Sequence, residues 1–279
     1  MIKTKALVFL LSLILFNLIA LTLADAYQLE SDWNEYKSEH FIIRYHSSIP
    51  NRYIREFTRT CERYYRLIAE RLGFKRFDFW SWENRGRIFV YGSREEYLAG
   101  SGQAKWSAAS VHVQQKLIST YYFAEDFFDQ YLPHELSHIV LREFVGARVK
   151  LPLWFEEGVP SANEDNCYLR YLLVAKGLVE KSEFIPVAQL EAMGRAALKK
   201  HQLFYATSAS IVIFLLEDYS TDNFVRLCRS LRDGSSFYGA MNKAYRIRDA
   251  EDLNNKFLAY LNKKSYEDIA TAQNQSVNW

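Results

Sequence analysis

Strand-like and helix-like patterns occupy different parts of this sequence. Alternating apolar residues, typical of half-buried strands, occur at 40–46 (HFIIRYH) and 87–91 (RIFVY). Two further apolar runs, at 106–113 and 116–122, predict a strand hairpin. From Glu125 onward, helical spacing of apolar residues dominates. Because strands come first and helices follow, we predict the α+β class, with a small N-terminal sheet and helices followed by a mainly helical C-terminal part.

Several helices can be bounded by the residues that start or stop them. The longest is predicted from Asn51 to about Leu72, because its apolar residues share one face and a glycine follows. Ser93 opens a capping box, Ser-Arg-Glu-Glu, that predicts a short helix. Later helices are predicted to begin after Pro186, at Leu203, at 222 and after Asp249, and the polar segment after Ser265 is expected to fray.

The N-terminal residues have the pattern of a secretory signal. Lys3 and Lys5 precede a nearly uninterrupted apolar stretch from Ala6 to Leu23, and Ala24-Asp25-Ala26 offers a cleavage site before Tyr27. The alternative is an uncleaved membrane anchor, since this stretch is just long enough to span a bilayer. Either interpretation predicts an exported protein, periplasmic, secreted or anchored with its folded part outside the cytoplasm. We expect contact with a membrane only if the segment stays uncleaved.

Charge and cysteine content narrow the function classes. The formal net charge is +2, which gives no reason to expect nucleic acid as a partner. Three cysteines cannot form a closed disulfide framework, and no Cys-x-x-Cys spacing suggests a cysteine-bound metal. We expect Cys61, Cys167 and Cys228 to be buried core residues.

The residues that carry chemistry are HELSH at 134–138. Two histidines four positions apart on a helix face the same way, so His134 and His138 can share one metal ion. Glu135 lies between them and is placed to accept a proton from water rather than to bind the metal. The alternative is two ordinary histidines on a half-buried helix.

A third ligand is expected from a neighbouring element, because a catalytic zinc site uses three protein ligands and one open position. Residues 152–158 read PLWFEEG, and Glu157 lies nineteen positions after His138. That separation allows the first helix to finish, the chain to turn and a second helix to begin. Glu156 is the competing carboxylate, although the spacing favours Glu157.

These residues resemble the gluzincin metallopeptidases, whose pattern is HExxH, eighteen residues and then Glu. More narrowly, the chain is similar to the peptidase-MA-like domain family, with its HExxH helix followed by P-x-W-[LF]-x-E-G-x-A. The resemblance is most specific from Pro133 to Gly158 and extends more weakly from SEHFIIRY at 38–45 to the last helix. It implies a zincin-like fold and Zn²⁺ as cofactor.

By this resemblance, His134, His138 and Glu157 are zinc ligands and Glu135 is the general base. The implied activity is hydrolysis of peptide bonds in a peptide or protein substrate by a zinc-activated water. The implied domain covers 27–265, with the sheet and motif helix in 27–145 and the helical part in 146–265. Residues 1–26 precede it as the signal peptide or anchor, and 266–279 follow as a polar tail. The oligomeric state is left open.

The sequence departs from the family pattern at Pro160, where the family has Ala. Proline removes a helical N–H, so we expect the helix to kink or end about one turn past Glu157. Glu164 and Asp165 are then the nearest acidic candidates to support the ligands. This departure motivates an alternative function, a catalytically silent zinc-binding or peptide-binding envelope protein of the same fold. A third possibility is a structural protein with an accidental motif.

Two further features are similar to those of the family. Tyr205 lies in a helix that follows the ligand segment and is a candidate hydrogen-bond donor to the oxyanion, with His201 as its rival. Tyr205 as a packed core residue is the competing interpretation. One strand of the predicted hairpin is expected to be an open sheet edge that holds substrate backbone.

Overall fold

A computed structural model of the protein describes residues 32–74, 84–102, 108–194 and 202–276. Within these ranges one five-stranded sheet has the order β1-β2-β3-β5-β4. The central pairs β2–β3 and β3–β5 are parallel, and the outer pairs β1–β2 and β4–β5 are antiparallel. The strands are β1 (Trp33–Lys37), β2 (Phe41–His46), β3 (Gly86–Tyr91), β4 (Ala109–His112) and β5 (Leu117–Tyr121).

Helices make up most of the rest of the described chain. Two of them precede the hairpin, and nine follow it. They are α1 (Asn51–Arg71), α2 (Arg94–Ser101), α3 (Leu132–Val145), α4 (Leu153–Ala162), α5 (Leu173–Glu180), α6 (Val187–Ala192), α7 (Gln202–Glu217), α8 (Thr221–Arg232), α9 (Phe237–Tyr245), α10 (Ala250–Lys263) and α11 (Tyr266–Ser276). A small mixed sheet followed by helices is the α+β arrangement predicted from the sequence, so the fold class is confirmed.

Helices pack against both faces of the sheet. On β2 the alternate residues Phe41, Ile43 and Tyr45 are buried, and this face packs against α1. The opposite face carries the rings of Tyr91 and Tyr121, which contact the fully buried Tyr97 of α2. The alternation of burial along β2 and β3 is the period of two from which both strands were predicted.

The hairpin is confirmed, and the structure decides which of its strands is the edge. Strand β5 lies between β3 and β4, so β4 is the edge strand and β5 is an interior strand. Residues of β4 also contact α3. The edge therefore runs beside the helix that carries HELSH.

Two elements differ from the sequence-based prediction. Strand β1 was not predicted, because four of its five residues are exposed and its sequence WNEYK shows no apolar alternation. The segment after Ser265, expected to be a frayed polar tail, forms α11 instead. Ser265 and Asp268 form a capping box at its start, and Ile269 is fully buried, which stabilises the helix.

The proposed signal or anchor segment, 1–26, lies outside the described residues. No helix within the described ranges is long and apolar enough to cross a membrane. The three cysteines are free and buried, as predicted.

Candidate metal centre

The HELSH residues lie in the first half of α3, whose other faces are buried. Leu136, Ile139 and Leu141 are almost fully buried, whereas His134 and His138 remain partly accessible. A single π-helical turn, Phe127–Tyr131, leads into α3, and the N–H of Leu132 donates to the carbonyl of Phe127. Pro133 follows this wide turn and lies in the first turn of α3. Its missing N–H does not interrupt the helix there, so the turn that carries the histidines stays helical.

Helix α4 brings a carboxylate to the two histidines. Oε2 of Glu157 lies 3.8 Å from Nε2 of His134 and 3.8 Å from Nε2 of His138. Donor atoms of the three side chains all lie within 4.8 Å of one another. The structure therefore brings together the three residues selected from the sequence, from two different helices.

These distances suit one tetrahedral cation. Two donors that are each about 2.1 Å from a tetrahedral zinc are about 3.4 Å apart. The observed 3.8 Å separations are slightly longer, so a small contraction would close the donors around an ion. Two imidazoles and one carboxylate are also a donor set that zinc commonly accepts at catalytic sites.

Glu156, the competing carboxylate, is engaged elsewhere. Its Oε1 accepts hydrogen bonds from Nε and Nη2 of Arg142 at 3.1 and 2.5 Å. Arg142 also donates from Nη1 to the carbonyl of Val149 at 2.7 Å. Arg142 thus ties the end of α3 to the start of α4, and Glu156 helps to fix the crossing of the two helices rather than facing the histidines.

A close backbone contact sets the position of α4 against α7. A Cβ atom at Gly158 would lie 2.6 Å from the carbonyl oxygen of Ser208. Such a distance is too short for any side chain, so only glycine allows the two helices to approach this closely at the residue that follows Glu157.

Pro160 ends α4 without displacing Glu157. The helix stops at Ala162, about one turn past the carboxylate, in agreement with the sequence-based expectation. The chain then turns so that Oε1 of the buried Glu164 lies 2.8 Å from Nδ1 of His134. Asp165, the other acidic candidate, accepts a hydrogen bond from the hydroxyl of Tyr64 instead.

Two partners of Glu164 were not identified from the sequence. Arg170 Nη1 and the Tyr171 hydroxyl donate to its Oε2 at 2.8 and 2.7 Å. No sequence pattern marks these two residues, because their contact with Glu164 depends on how the chain returns after α4.

Burial and neighbouring charges perturb the ionisable groups of this centre. Burial raises the pKa of Glu135 to about 7, with the positive charge of His134 opposing the shift and the charges of Glu157 and Glu164 adding to it. For His134, burial disfavours the charged ring, but the carboxylates of Glu157 and Glu164 outweigh it and raise the pKa to about 10. Since only a neutral imidazole binds a metal, a cation bound here has to displace that proton.

Tyr205 lies on α7, three residues before Ser208, and is half-buried against the core. Its ring lies 5.6 Å from that of Phe204 between centroids. The helix that carries Tyr205 lies beside α4, as the close approach of Gly158 to Ser208 shows. The role of the Tyr205 hydroxyl stays a prediction. His201, the rival, lies outside the described residues.

A second group of potential ligands, Glu39, His40 and Glu62, has a different character. Nδ1 of the His40 ring is only 2.6 Å from Oε2 of Glu62, and the backbone N–H of His40 donates to Oε1 of Glu62 at 2.9 Å. The 2.6 Å separation is a direct hydrogen bond and is too short for two donors that share one ion. This pair joins the start of β2 to α1, as expected for a structural histidine.

Comparison with known proteins agrees with this geometry. A comparison with curated proteins finds no match. A family model described as "Peptidase MA superfamily" matches residues 114–263, which is more than half of the chain. The match includes β5, both ligand-bearing helices and the helices through α10. The chain belongs to the Peptidase MA superfamily.

Proposed function

We propose that this protein is a zinc-dependent metallopeptidase in which His134, His138 and Glu157 hold the metal. The observation that carries the proposal is the convergence of these three donors from α3 and α4. Membership of the superfamily supports a peptidase-like enzyme and a peptide or protein substrate in general terms. The assignment to zinc and to peptide hydrolysis rests on the donor set and on Glu135.

Zinc bound to these donors would supply Lewis acidity, polarising the substrate carbonyl and making the attacking water more acidic. Glu135 accepts the proton of that water and delivers it to the leaving amine. Its neighbours in the sequence are a proposed ligand and the fully buried Leu136, so its place on α3 is constrained by the packing of the helix. We assign Tyr205 as the donor of a hydrogen bond to the oxyanion.

The β4 edge provides a means of holding the substrate backbone. An extended peptide can add to an open sheet edge through main-chain hydrogen bonds, which are independent of side-chain identity. Strand β4 is the last strand of the described sheet and contacts the motif helix. We propose that substrate lies along β4, with its scissile bond above α3.

We also propose that the protein acts outside the cytoplasm. The support is the basic, apolar and Ala-x-Ala pattern of residues 3–26.

The proposal is tested by metal analysis together with a conservative change of the base. The exported chain should carry about one zinc, and His134→Ala, His138→Ala or Glu157→Ala should each remove it. Glu135→Gln preserves size but cannot accept a proton, so it should retain zinc and lose peptide hydrolysis by about a hundredfold or more. Glu156→Gln is the matched control, because its amide oxygen can still accept hydrogen bonds from Arg142 and hold the crossing of α3 and α4, so it should keep both zinc and activity.

The outcomes separate the candidate functions. Absence of zinc from the wild type overturns the proposal. Zinc binding without cleavage of a diverse peptide library would favour the catalytically silent binding protein that the proline at 160 suggests. Loss of zinc on Glu156→Gln but not on Glu157→Ala would overturn the ligand assignment.

A further inference from the structure

Glu164 is a buried carboxylate, and both of its oxygens have hydrogen-bond partners. Its side chain is 3% exposed. Oε1 faces Nδ1 of His134 at 2.8 Å, and Oε2 accepts from Arg170 at 2.8 Å and from Tyr171 at 2.7 Å. A charge buried this deeply is tolerated only when it is paired and hydrogen-bonded, so these donors determine where the carboxylate lies.

The contact with Glu164 determines which nitrogen of His134 is available to a metal. An ionised carboxylate can only accept hydrogen bonds, so Nδ1 of the ring must donate. Nε2, which faces Glu157, is then the nitrogen with the free lone pair when the imidazole is neutral. Glu164 therefore selects both the tautomer and the orientation of one proposed ligand.

Arg170 and Tyr171 reach Glu164 from a second π-helical turn, Tyr168–Leu172. A π turn contains more residues than an α turn, so neighbouring side chains are separated by a smaller angle around the axis. Two consecutive residues can then face the same carboxylate, which an α-helical turn disfavours. The turn is held in place by contacts with α7 and α11.

We propose that Arg170 and Tyr171 are positioning residues, which act through Glu164 on His134 to set the affinity of the centre for zinc. The inference rests on the proposed function, because it assumes that His134 is a ligand. It extends the metal centre from three side chains on two helices to a network that includes the π turn. Glu164, Arg170 and Tyr171 contact neither metal nor substrate in the proposed mechanism, so their effect is on binding of the metal.

The chain offers matched controls for this network. Glu62 makes the same kind of contact with Nδ1 of a histidine, His40, outside the metal centre. The hydroxyl of the buried Tyr45 donates to Oδ1 of Asn51 at 2.7 Å, as Tyr171 donates to Glu164. Variants at Glu62 and Tyr45 change a similar bond, and these bonds involve neither a proposed ligand nor the π turn.

The experiment measures zinc affinity of the full chain by competition with a chromogenic chelator. Glu164→Gln places an NH₂ group among three converging donors and should weaken zinc binding by about 10- to 100-fold, the usual effect of removing a group that orients a ligand. Tyr171→Phe removes one hydroxyl and should weaken it by about two- to tenfold. Arg170→Gln should also weaken zinc binding, whereas Glu62→Gln and Tyr45→Phe should bind zinc as tightly as the wild type.

The result that overturns the inference is wild-type zinc affinity in both Tyr171→Phe and Arg170→Gln. Equal weakening by Tyr171→Phe and Tyr45→Phe would also overturn it, because the effect would then follow from general destabilisation. If Glu164→Gln does not fold, the two milder variants still decide the question. A wild type that binds no zinc overturns the proposed function itself, which distinguishes the two failures.

Discussion

Replacing Gly158 by alanine tests how closely α4 and α7 must approach. The added Cβ would lie 2.6 Å from the carbonyl oxygen and 2.8 Å from the carbonyl carbon of Ser208. Carbon atoms in favourable contact are about 3.5 Å or more apart, so the helices have to separate by roughly 1 Å. The obstructing atoms belong to the backbone of a buried helix, so no change of rotamer can relieve the contact.

The expected free-energy change follows from two opposing contributions. Alanine is favoured over glycine inside a helix by about 1 kcal/mol. Overpacking of a filled core costs about 1–3 kcal/mol, and more where the backbone must move. Moving the two helices apart by roughly 1 Å also removes a quarter to a half of the dispersion energy of the atom pairs that it separates. We therefore expect a net loss of about 2 kcal/mol in the free energy of unfolding.

Urea unfolding followed by circular dichroism measures the change, with Gly177→Ala as the control. At Gly177, in the interior of α5, the nearest atom to a new Cβ is the Tyr266 hydroxyl oxygen at 3.9 Å, an ordinary contact. That variant should be as stable as the wild type or more stable by up to about 1 kcal/mol. If Gly158→Ala is as stable as Gly177→Ala, the close approach does not constrain the ligand helix and the reasoning is wrong.

Three further predictions concern the reaction, the last helix and export. Tyr205→Phe should lower kcat by about ten- to a thousandfold with little change in KM if its hydroxyl stabilises the oxyanion, whereas an unchanged kcat in steady-state assays would return the residue to the core and make His201 the next candidate. Ile269→Ala should lower the free energy of unfolding by about 2–4 kcal/mol in urea titration, because the side chain is fully buried, and a neutral result would contradict the packing of α11. Mass spectrometry of the exported protein should find Tyr27 as its first residue, and a full-length product extracted from membranes would favour the uncleaved anchor.

Features that depend on neighbouring residues were predictable from the sequence. The alternation in β2 and β3 and the apolar face of α1 are repeated every two to four residues, so each is visible in a short window. The placement of His134 and His138 on one face follows from helix geometry alone. The capping box before α11 was equally local, and it was overlooked because the segment is polar.

The third proposed ligand was predictable for a different reason. Glu157 was selected by spacing and by resemblance to a family, and the structure brings it to the two histidines. The spacing favoured Glu157 but left Glu156 as a competing carboxylate, since adjacent residues differ by only one position in the chain. In the structure Glu156 forms a salt bridge with Arg142, a contact that depends on how α3 and α4 cross.

The sequence by itself determined the α+β order, the motif helix and the residues that could bind a metal, because each depends on chain geometry within one or two elements. Only the tertiary structure decided that β4 is the sheet edge and that Glu164, thirty positions from His134, supports that histidine. The chain between His134 and Glu164 includes α4, which ends just after Pro160. The Glu164 carboxylate also accepts hydrogen bonds from residues of a π turn further along the chain. Contacts of this kind arise when packing brings distant segments together, and no local period in the sequence encodes which segments will meet.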